Sequence, residues 1–173
     1  MIVLIVLAAS LFGFRALGAL GVRRFSSWPA SAAHAMAVML VMTATTHFVP
    51  AGVTVMPNHA DLVAMVPPFV PFAGAAVYAT GVLELLGAVG LVRSGTRWAA
   101  GLGLTVLYVL LLPANIYAAV EDVPFQGEAP TPLAPRIGEQ LAYIAVAVWV
   151  AWSARPQTSA VAPHADRKPV AVR

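Results

Sequence analysis

The residues with the greatest chemical potential in this sequence are ionisable groups inside long apolar segments. Glu84 interrupts the segment YATGVLELLG at residues 78–87, and Arg15 interrupts an apolar run that begins at residue 2. Ionisable groups inside a membrane are costly, and they are usually paired or functional. A carboxylate such as Glu84 can relay protons or bind a ligand there, and it can equally form an ion pair that only holds helices together.

The positions of these two groups along their helices place them at a common depth. Glu84 precedes Arg93 by nine residues, and Arg15 precedes Arg23 by eight. At a helical rise of about 1.5 Å per residue, both lie about 12–13 Å from the same charged boundary. The sequence therefore predicts that they meet, either as a structural Arg15–Glu84 ion pair or around a functional carboxylate.

Two residues of a later apolar segment reach the same depth. Thr105 and Tyr108 lie about 12 and 16 Å from Arg97 by the same helical rise. They share one stripe of their helix, which continues to Asn115. A protonated Glu84 hydrogen-bonded to Tyr108 is therefore a second structural alternative.

A second polar cluster is predicted near the opposite ends of the helices. Its members are His47, Asn115, Glu139, Gln140 and Tyr143. Pro113 lacks a backbone donor and frees a carbonyl near residue 109, which gives a polar ligand a place to bind. This cluster suits an outward-facing site for a headgroup, a quinone or a small molecule. The alternative is ordinary interface chemistry, since amphipathic side chains favour the membrane surface.

Several classes of chemistry are excluded or disfavoured. The chain has no cysteine, which removes disulfides, thiolate catalysis and cysteine metal sites. His34 is followed by methionines at 36, 39 and 42, but these do not form a compact cage, so no metal site is predicted. No phosphate loop, nucleotide fingerprint, nucleophile elbow or zinc-protease motif is present in the sequence. We therefore expect no catalytic activity from this chain on its own.

The elements that carry these residues are predicted to be membrane-spanning helices. The sequence is 60% hydrophobic and only 10% charged, whereas soluble domains contain about 25% charged residues. Apolar runs of about 20 residues match the thickness of a bilayer core. The sequence predicts an all-α bundle of five transmembrane helices in a single domain (residues 1–154), followed by a disordered tail (155–173), with helices at residues 2–22, 30–49, 72–92, 98–120 and 137–154.

The distribution of basic residues predicts the orientation of this bundle. Nearly all arginines and lysines fall on one side of the five segments, and Arg136 falls on the other side with most of the acids. The positive-inside rule then places the N-terminus outside and the C-terminus in the cytoplasm of a multi-pass plasma-membrane protein. The net charge of +3 has the same origin, so the bilayer is the expected partner and nucleic acid is not.

Four segments in a fixed order resemble the DoxX family of small membrane proteins. They are THFVP at 46–50, MVPPFVP at 65–71, YATGVLELLG at 78–87 and LPANIY at 112–117, within a resemblance that covers about residues 30–154. The resemblance implies a four-helix membrane bundle, with His47, Glu84 and Asn115 at recurring polar positions. The helix at residues 2–22 lies outside that unit, so Arg15 is not a feature that the resemblance supplies.

The resemblance also implies a set of functions. DoxX-like proteins are associated with redox work at the membrane, so we expect an accessory subunit of a membrane-bound redox or cell-envelope complex. Its partners would be other membrane subunits or further copies of the chain. One alternative is a quinone- or lipid-binding protein, although no cofactor motif is evident in the sequence. The other alternative is a proton-coupled small-solute transporter centred on Glu84.

Overall fold

The computed structural model describes residues 2–156, and its regular structure is helical. The only β feature in this range is an isolated bridge between Phe125 and Glu128. A short 3-10 helix, Arg23–Phe25, links the first two α-helices. The α-helices are α1 (Ile2–Ala19), α2 (Trp28–Thr46), α3 (His59–Ala64), α4 (Ala73–Val92), α5 (Arg97–Val120) and α6 (Leu133–Ser153).

Local sequence accounts for the helix ends that differ from the predicted ones. Helix α1 ends at Ala19 because Gly21 adopts a left-handed φ of 100° and Val22 N–H donates to Leu17 O. This is the Schellman arrangement that closes many helices. Helix α6 starts four residues earlier than predicted, because Pro135 lies in its first turn, where a missing N–H costs nothing.

Helix α2 is the centre of the bundle. It packs against α1, α4 and α6, while α5 packs against α4 and α6. Helices α2, α4, α5 and α6 therefore form a four-helix unit, and α1 lies outside it against α2. The fully buried side chains of α2 include Met36, Met39 and Leu40.

A short helix covers one end of the four-helix unit. Helix α3 packs against α4 and starts with a capping box, in which the Asn58 and Asp61 side chains bond to each other's backbone N–H groups. The sequence indicated a short helix between the prolines of this connection, and α3 lies there. His59 anchors it, because its ring stacks on Tyr78 at 4.0 Å and its Nδ1 donates to the carbonyl of His47.

The predicted all-helical class is confirmed for the described residues, whereas the count of five spanning helices is met only in part. Three helices, α1, α4 and α5, are long and apolar enough to cross a membrane. Helices α2 and α6 do not reach that composition, because they carry more polar side chains. The outer surface is strongly apolar, as residues such as Leu20, Leu110 and Trp152 illustrate. Of the tail that was predicted to be disordered, residues 157–173 lie outside the described part.

Candidate functional site

The most deeply buried acidic group of the described chain lies between α2 and α4. The Glu84 side chain belongs to the middle of α4, and the residue is only 5% exposed. Thr43 of α2 donates its hydroxyl to Glu84 Oε2 at 2.9 Å. On the other side, His47 Nε2 lies 3.8 Å from Glu84 Oε1. Thr43 thus satisfies part of the bonding capacity of a group that is expensive to bury, and the His47 ring lies beside it.

The bonding of His47 determines where a proton must be in this pair. Its Nδ1 lies 2.7 Å from the carbonyl of Val77, which can only accept, so Nδ1 carries a hydrogen. Nε2 of a neutral ring is then an acceptor, and it faces a carboxylate oxygen. The two groups are compatible when one proton lies between them, either on His47 as an ion pair or on Glu84 as a carboxylic acid. The geometry therefore places a titratable imidazole 3.8 Å from a titratable carboxyl.

The close approach of α2 and α4 depends on a glycine. A Cβ added at Gly81 would lie 2.6 Å from His47 Cβ, a contact that real structures do not tolerate. The sequence placed His47 in an outer layer and Glu84 in a middle layer, and this separation is wrong. Helix α2 ends at Thr46, whereas α4 extends past that point to its own first residue, Ala73. The end of α2 therefore lies beside the interior of α4, and His47 comes close to Glu84.

Two tyrosine hydroxyls complete this group of side chains. Tyr108 of α5 and Tyr143 of α6 are 5% and 8% exposed, and their ring centroids are 5.8 Å apart. Tyr108 is also within electrostatic range of Glu84. Neither hydroxyl has a hydrogen-bond partner among the described residues. We call these five residues the polar centre: Thr43, His47, Glu84, Tyr108 and Tyr143.

An amide network lies directly beside the polar centre, at the Pro113 turn of α5. Gln140 Nε2 donates to the carbonyl of Tyr108 at 2.8 Å. Asn115 Nδ2 donates to Leu111 O at 3.1 Å and to Gln140 Oε1 at 3.3 Å. The buried amide of Gln140 and the half-buried amide of Asn115 therefore bond to carbonyls of the turn in which Pro113 removes a donor, and they tie α5 to α6.

The remaining predicted site residues lie elsewhere. Arg15 does not pair with Glu84 in the described chain: its Nη1 donates to Phe25 O at 3.0 Å, and its guanidinium stacks on Trp28 at 5.0 Å. The long arginine side chain turns toward the end of α1, where carbonyls of the 3-10 helix accept its hydrogens. The predicted ion pair is therefore wrong.

Thr105 and Glu139 also stand apart from the carboxylate. The Thr105 hydroxyl donates to Gly101 O within α5 at 2.8 Å, so it does not face Glu84. Glu139 of α6 interacts electrostatically with Arg136 and Tyr143. The predicted bond between Glu84 and Tyr108 is also absent from the described part of the chain, although both residues belong to the polar centre.

The inward orientation of three residues, Thr43, Tyr143 and Gln140, was not predicted from the sequence. Each was visible in a polar segment, but none carried a signal that it would turn inward. Tyr143 and Gln140 lie three residues apart, a spacing that puts both on one face of α6. That spacing could have indicated a shared inward face. Across residues 2–156, no three His, Asp or Glu side chains are grouped in a way that could hold a metal ion.

The polar centre brings titratable and hydroxyl side chains from four helices or their ends together inside the bundle. It contains a carboxyl, an imidazole and two buried tyrosine hydroxyls that can donate to a carbonyl oxygen. A family model described as "Domain of unknown function (DUF8561)" matches residues 36–151, which is more than half of the chain. No curated protein matches significantly, and no solved structure does. The match includes every residue of the polar centre and leaves out α1, and the chain therefore belongs to the DUF8561 family.

Proposed function

We propose that the chain is a five-span, DoxX-like protein of the plasma membrane, with α2 and α6 crossing the bilayer beside α1, α4 and α5. The polar side chains that lower the hydropathy of α2 and α6 include Ser31, His34, Gln140 and Tyr143, which are buried inside the bundle. Polar groups inside a bundle do not prevent a helix from crossing a membrane. Single cysteines at residues 2 and 155 of this cysteine-free chain should label from opposite sides, and labelling from one side would contradict the topology.

Within this frame we propose that the polar centre binds a quinone. The observation that carries this proposal is the pair of buried tyrosine hydroxyls without a partner among the described residues, next to a buried carboxyl. A buried hydroxyl that makes no hydrogen bond costs about 1–3 kcal/mol, so such groups are expected where a ligand binds. A quinone offers two carbonyl oxygens to Tyr108 and Tyr143. The proton shared by Glu84 and His47 suits a ligand that takes up protons when it is reduced.

Replacement of Glu84 by glutamine tests this proposal. The new amide keeps an oxygen that accepts from Thr43 and presents an uncharged NH₂ group toward His47, so the variant imitates a protonated carboxyl and should fold. It cannot release a proton. Titration of the purified full chain with decylubiquinone should give affinity about tenfold weaker than wild type or worse, the range expected when a bond to a charged group is lost.

A matched control is available in the exposed loop after α5. Glu121→Gln removes the same charge far from the polar centre, and it should bind decylubiquinone as wild type does. Equal loss of folding and binding in Glu84→Gln would show a structural role for this carboxyl. Unchanged binding in a folded Glu84→Gln protein would remove the polar centre as the quinone site.

The second candidate is an accessory subunit of a membrane redox or cell-envelope complex, and it is compatible with the first. The side chains of the polar centre bind and exchange protons, and a larger partner would use the bound ligand. Purification of the tagged full chain in mild detergent should recover a defined partner or a homo-oligomer. A monomer that turns over substrate alone would contradict this role. Proton-coupled transport stays a third prediction, since it requires access to Glu84 from both sides.

A further inference from the structure

A basic groove lies at the turn between α4 and α5, away from the polar centre. Its volume is about 530 Å³, and the lining contains three arginines and no acidic residue of the described chain. The lining residues are Arg24, Val92, Arg93, Ser94, Gly95 and Arg97. Three uncompensated guanidinium groups in one concave surface attract an anion, and arginine pairs with phosphate in a bidentate manner.

The structure holds two of these arginines in place. Arg24 Nε donates to His34 Nε2 at 2.8 Å, and Arg24 Nη2 donates to Val92 O at 3.2 Å. His34 is fixed in turn, because its Nδ1 lies 2.7 Å from Ala30 O. Arg97 Nε donates to Leu91 O at 2.9 Å. Each guanidinium has five N–H donors, so hydrogens remain for an anion after these bonds are made.

An apolar cavity follows the basic groove along the same pair of helices. Its volume is about 230 Å³, and its lining contains only apolar residues: Leu83, Leu86, Gly87, Ala100, Gly103, Leu104 and Leu107. Ala100 follows Arg97 by three residues, which is a rise of about 4.5 Å, so the cavity begins close to the arginines. Leu83 lies ten residues before Arg93, which directly follows α4, and Leu107 lies ten residues after Arg97. Ten residues of helix span about 15 Å.

The distance from the arginines to the far end of the apolar cavity matches the depth of one membrane leaflet. About 15 Å is half of the roughly 30 Å hydrocarbon core of a bilayer, which is the depth of one leaflet. A phospholipid has a phosphate at the membrane surface and an acyl chain of that depth. The order of features along α4 and α5, with cations first and an apolar groove next, matches this molecule. A soluble phosphate would leave the apolar cavity unexplained.

We propose that the α4–α5 surface is a binding site for an anionic phospholipid, with the phosphate between Arg24, Arg93 and Arg97 and one acyl chain against Leu83, Gly103 and Leu107. The site rests on the proposed membrane location of the chain, but it is independent of the polar centre. The lipid would bind in the leaflet that faces the arginine-rich ends of the helices.

Native mass spectrometry of the full chain tests the site. The protein is released from micelles that contain equal amounts of phosphatidylglycerol and phosphatidylcholine, and the ratio of retained lipids is measured. The wild type should retain phosphatidylglycerol preferentially. Arg93→Gln should reduce this preference about fivefold, since one basic residue near an anionic surface contributes about 1 kcal/mol. Arg93 is exposed, so the variant should fold.

Two further variants separate the lipid from other anions. Arg155→Gln removes one arginine outside the groove, where it stacks on Trp152, and it should keep the wild-type preference. Gly103→Leu fills the apolar cavity without a change in charge. Its Cβ meets no atom within 4 Å, so the helix should tolerate it while retained lipid falls.

Each outcome decides the proposal. An equal loss in Arg155→Gln would mean that net charge alone attracts the lipid, and the site would be rejected. A loss in Arg93→Gln with no change in Gly103→Leu would mean that the arginines bind only the headgroup, and the proposed acyl-chain site in the apolar cavity would be rejected. Extraction of the protein from vesicles by alkaline carbonate would refute the membrane location itself, and this result is independent of lipid preference.

Discussion

Replacement of Tyr108 by phenylalanine removes a single oxygen from the polar centre and keeps the ring. The ring continues to pack against Tyr143, at a centroid separation of 5.8 Å in the wild type. The oxygen that is removed is buried and has no hydrogen-bond partner among the described residues. The substitution therefore separates the cost of the hydroxyl from the contribution of the aromatic side chain.

The expected magnitude follows from the solvation of that hydroxyl. A buried polar group without a partner costs about 1–3 kcal/mol relative to its hydrated state. In the absence of a ligand, Tyr108→Phe should thus be as stable as the wild type or more stable by up to that amount. With quinone the hydroxyl makes a bond worth about 0.5–1.5 kcal/mol, so Tyr108→Phe should bind quinone at least about 2- to 12-fold more weakly and gain less stability from it than the wild type.

Equilibrium unfolding of the purified full chain, driven by sodium dodecyl sulfate in mixed micelles, measures both states. A ligand present at 100 times its dissociation constant stabilises the wild type by about 2.7 kcal/mol, so a smaller stabilisation of Tyr108→Phe by the same ligand concentration can be measured. Tyr78→Phe is the control, since Tyr78 is 48% exposed and its hydroxyl should contribute little. A clear loss of stability in ligand-free Tyr108→Phe would refute the reasoning, because the hydroxyl would then have a partner inside the bundle.

Two further substitutions test the contacts that build the polar centre. Thr43→Val keeps the shape of the side chain but deletes the donor to Glu84, and it should lower the free energy of unfolding by about 1–3 kcal/mol in the same detergent titration. Gly81→Ala introduces a Cβ at 2.6 Å from His47 Cβ, and it should cost about 1–3 kcal/mol as α2 and α4 are forced apart. Gly103→Ala meets no neighbour and should be neutral or up to about 1 kcal/mol stabilising.

Controls keep these results specific. Thr45 also lies on α2, but its hydroxyl donates only to Val41 O of its own helix, so Thr45→Val should change stability much less than Thr43→Val. Equal effects of the two threonine substitutions would mean that the bond to Glu84 contributes nothing measurable. A neutral Gly81→Ala would mean that the bundle adjusts at this contact, and the close approach of α2 and α4 would not depend on the glycine.

The sequence by itself determined the helical class, the approximate helix bounds and the position of Glu84 along its helix. Apolar runs, prolines and glycines act locally, and the rise of a helix is constant, so distance from a charged boundary can be counted along the chain. Even the corrected ends have local causes, such as Gly21 after α1. The polar segments that supply Thr43 and Tyr143 were also visible.

Only the tertiary structure decided which of these residues meet. Depth says nothing about the rotation of a helix, and small apolar residues surround α2 on every side, so no stripe marked the face that carries Thr43 and His47. The register of α2 against α4 joined two predicted layers into one centre around Glu84. Arg15 was predicted to lie at the same level as Glu84, but its side chain does not contact Glu84. Its guanidinium donates instead to carbonyls at the end of the nearby 3-10 helix.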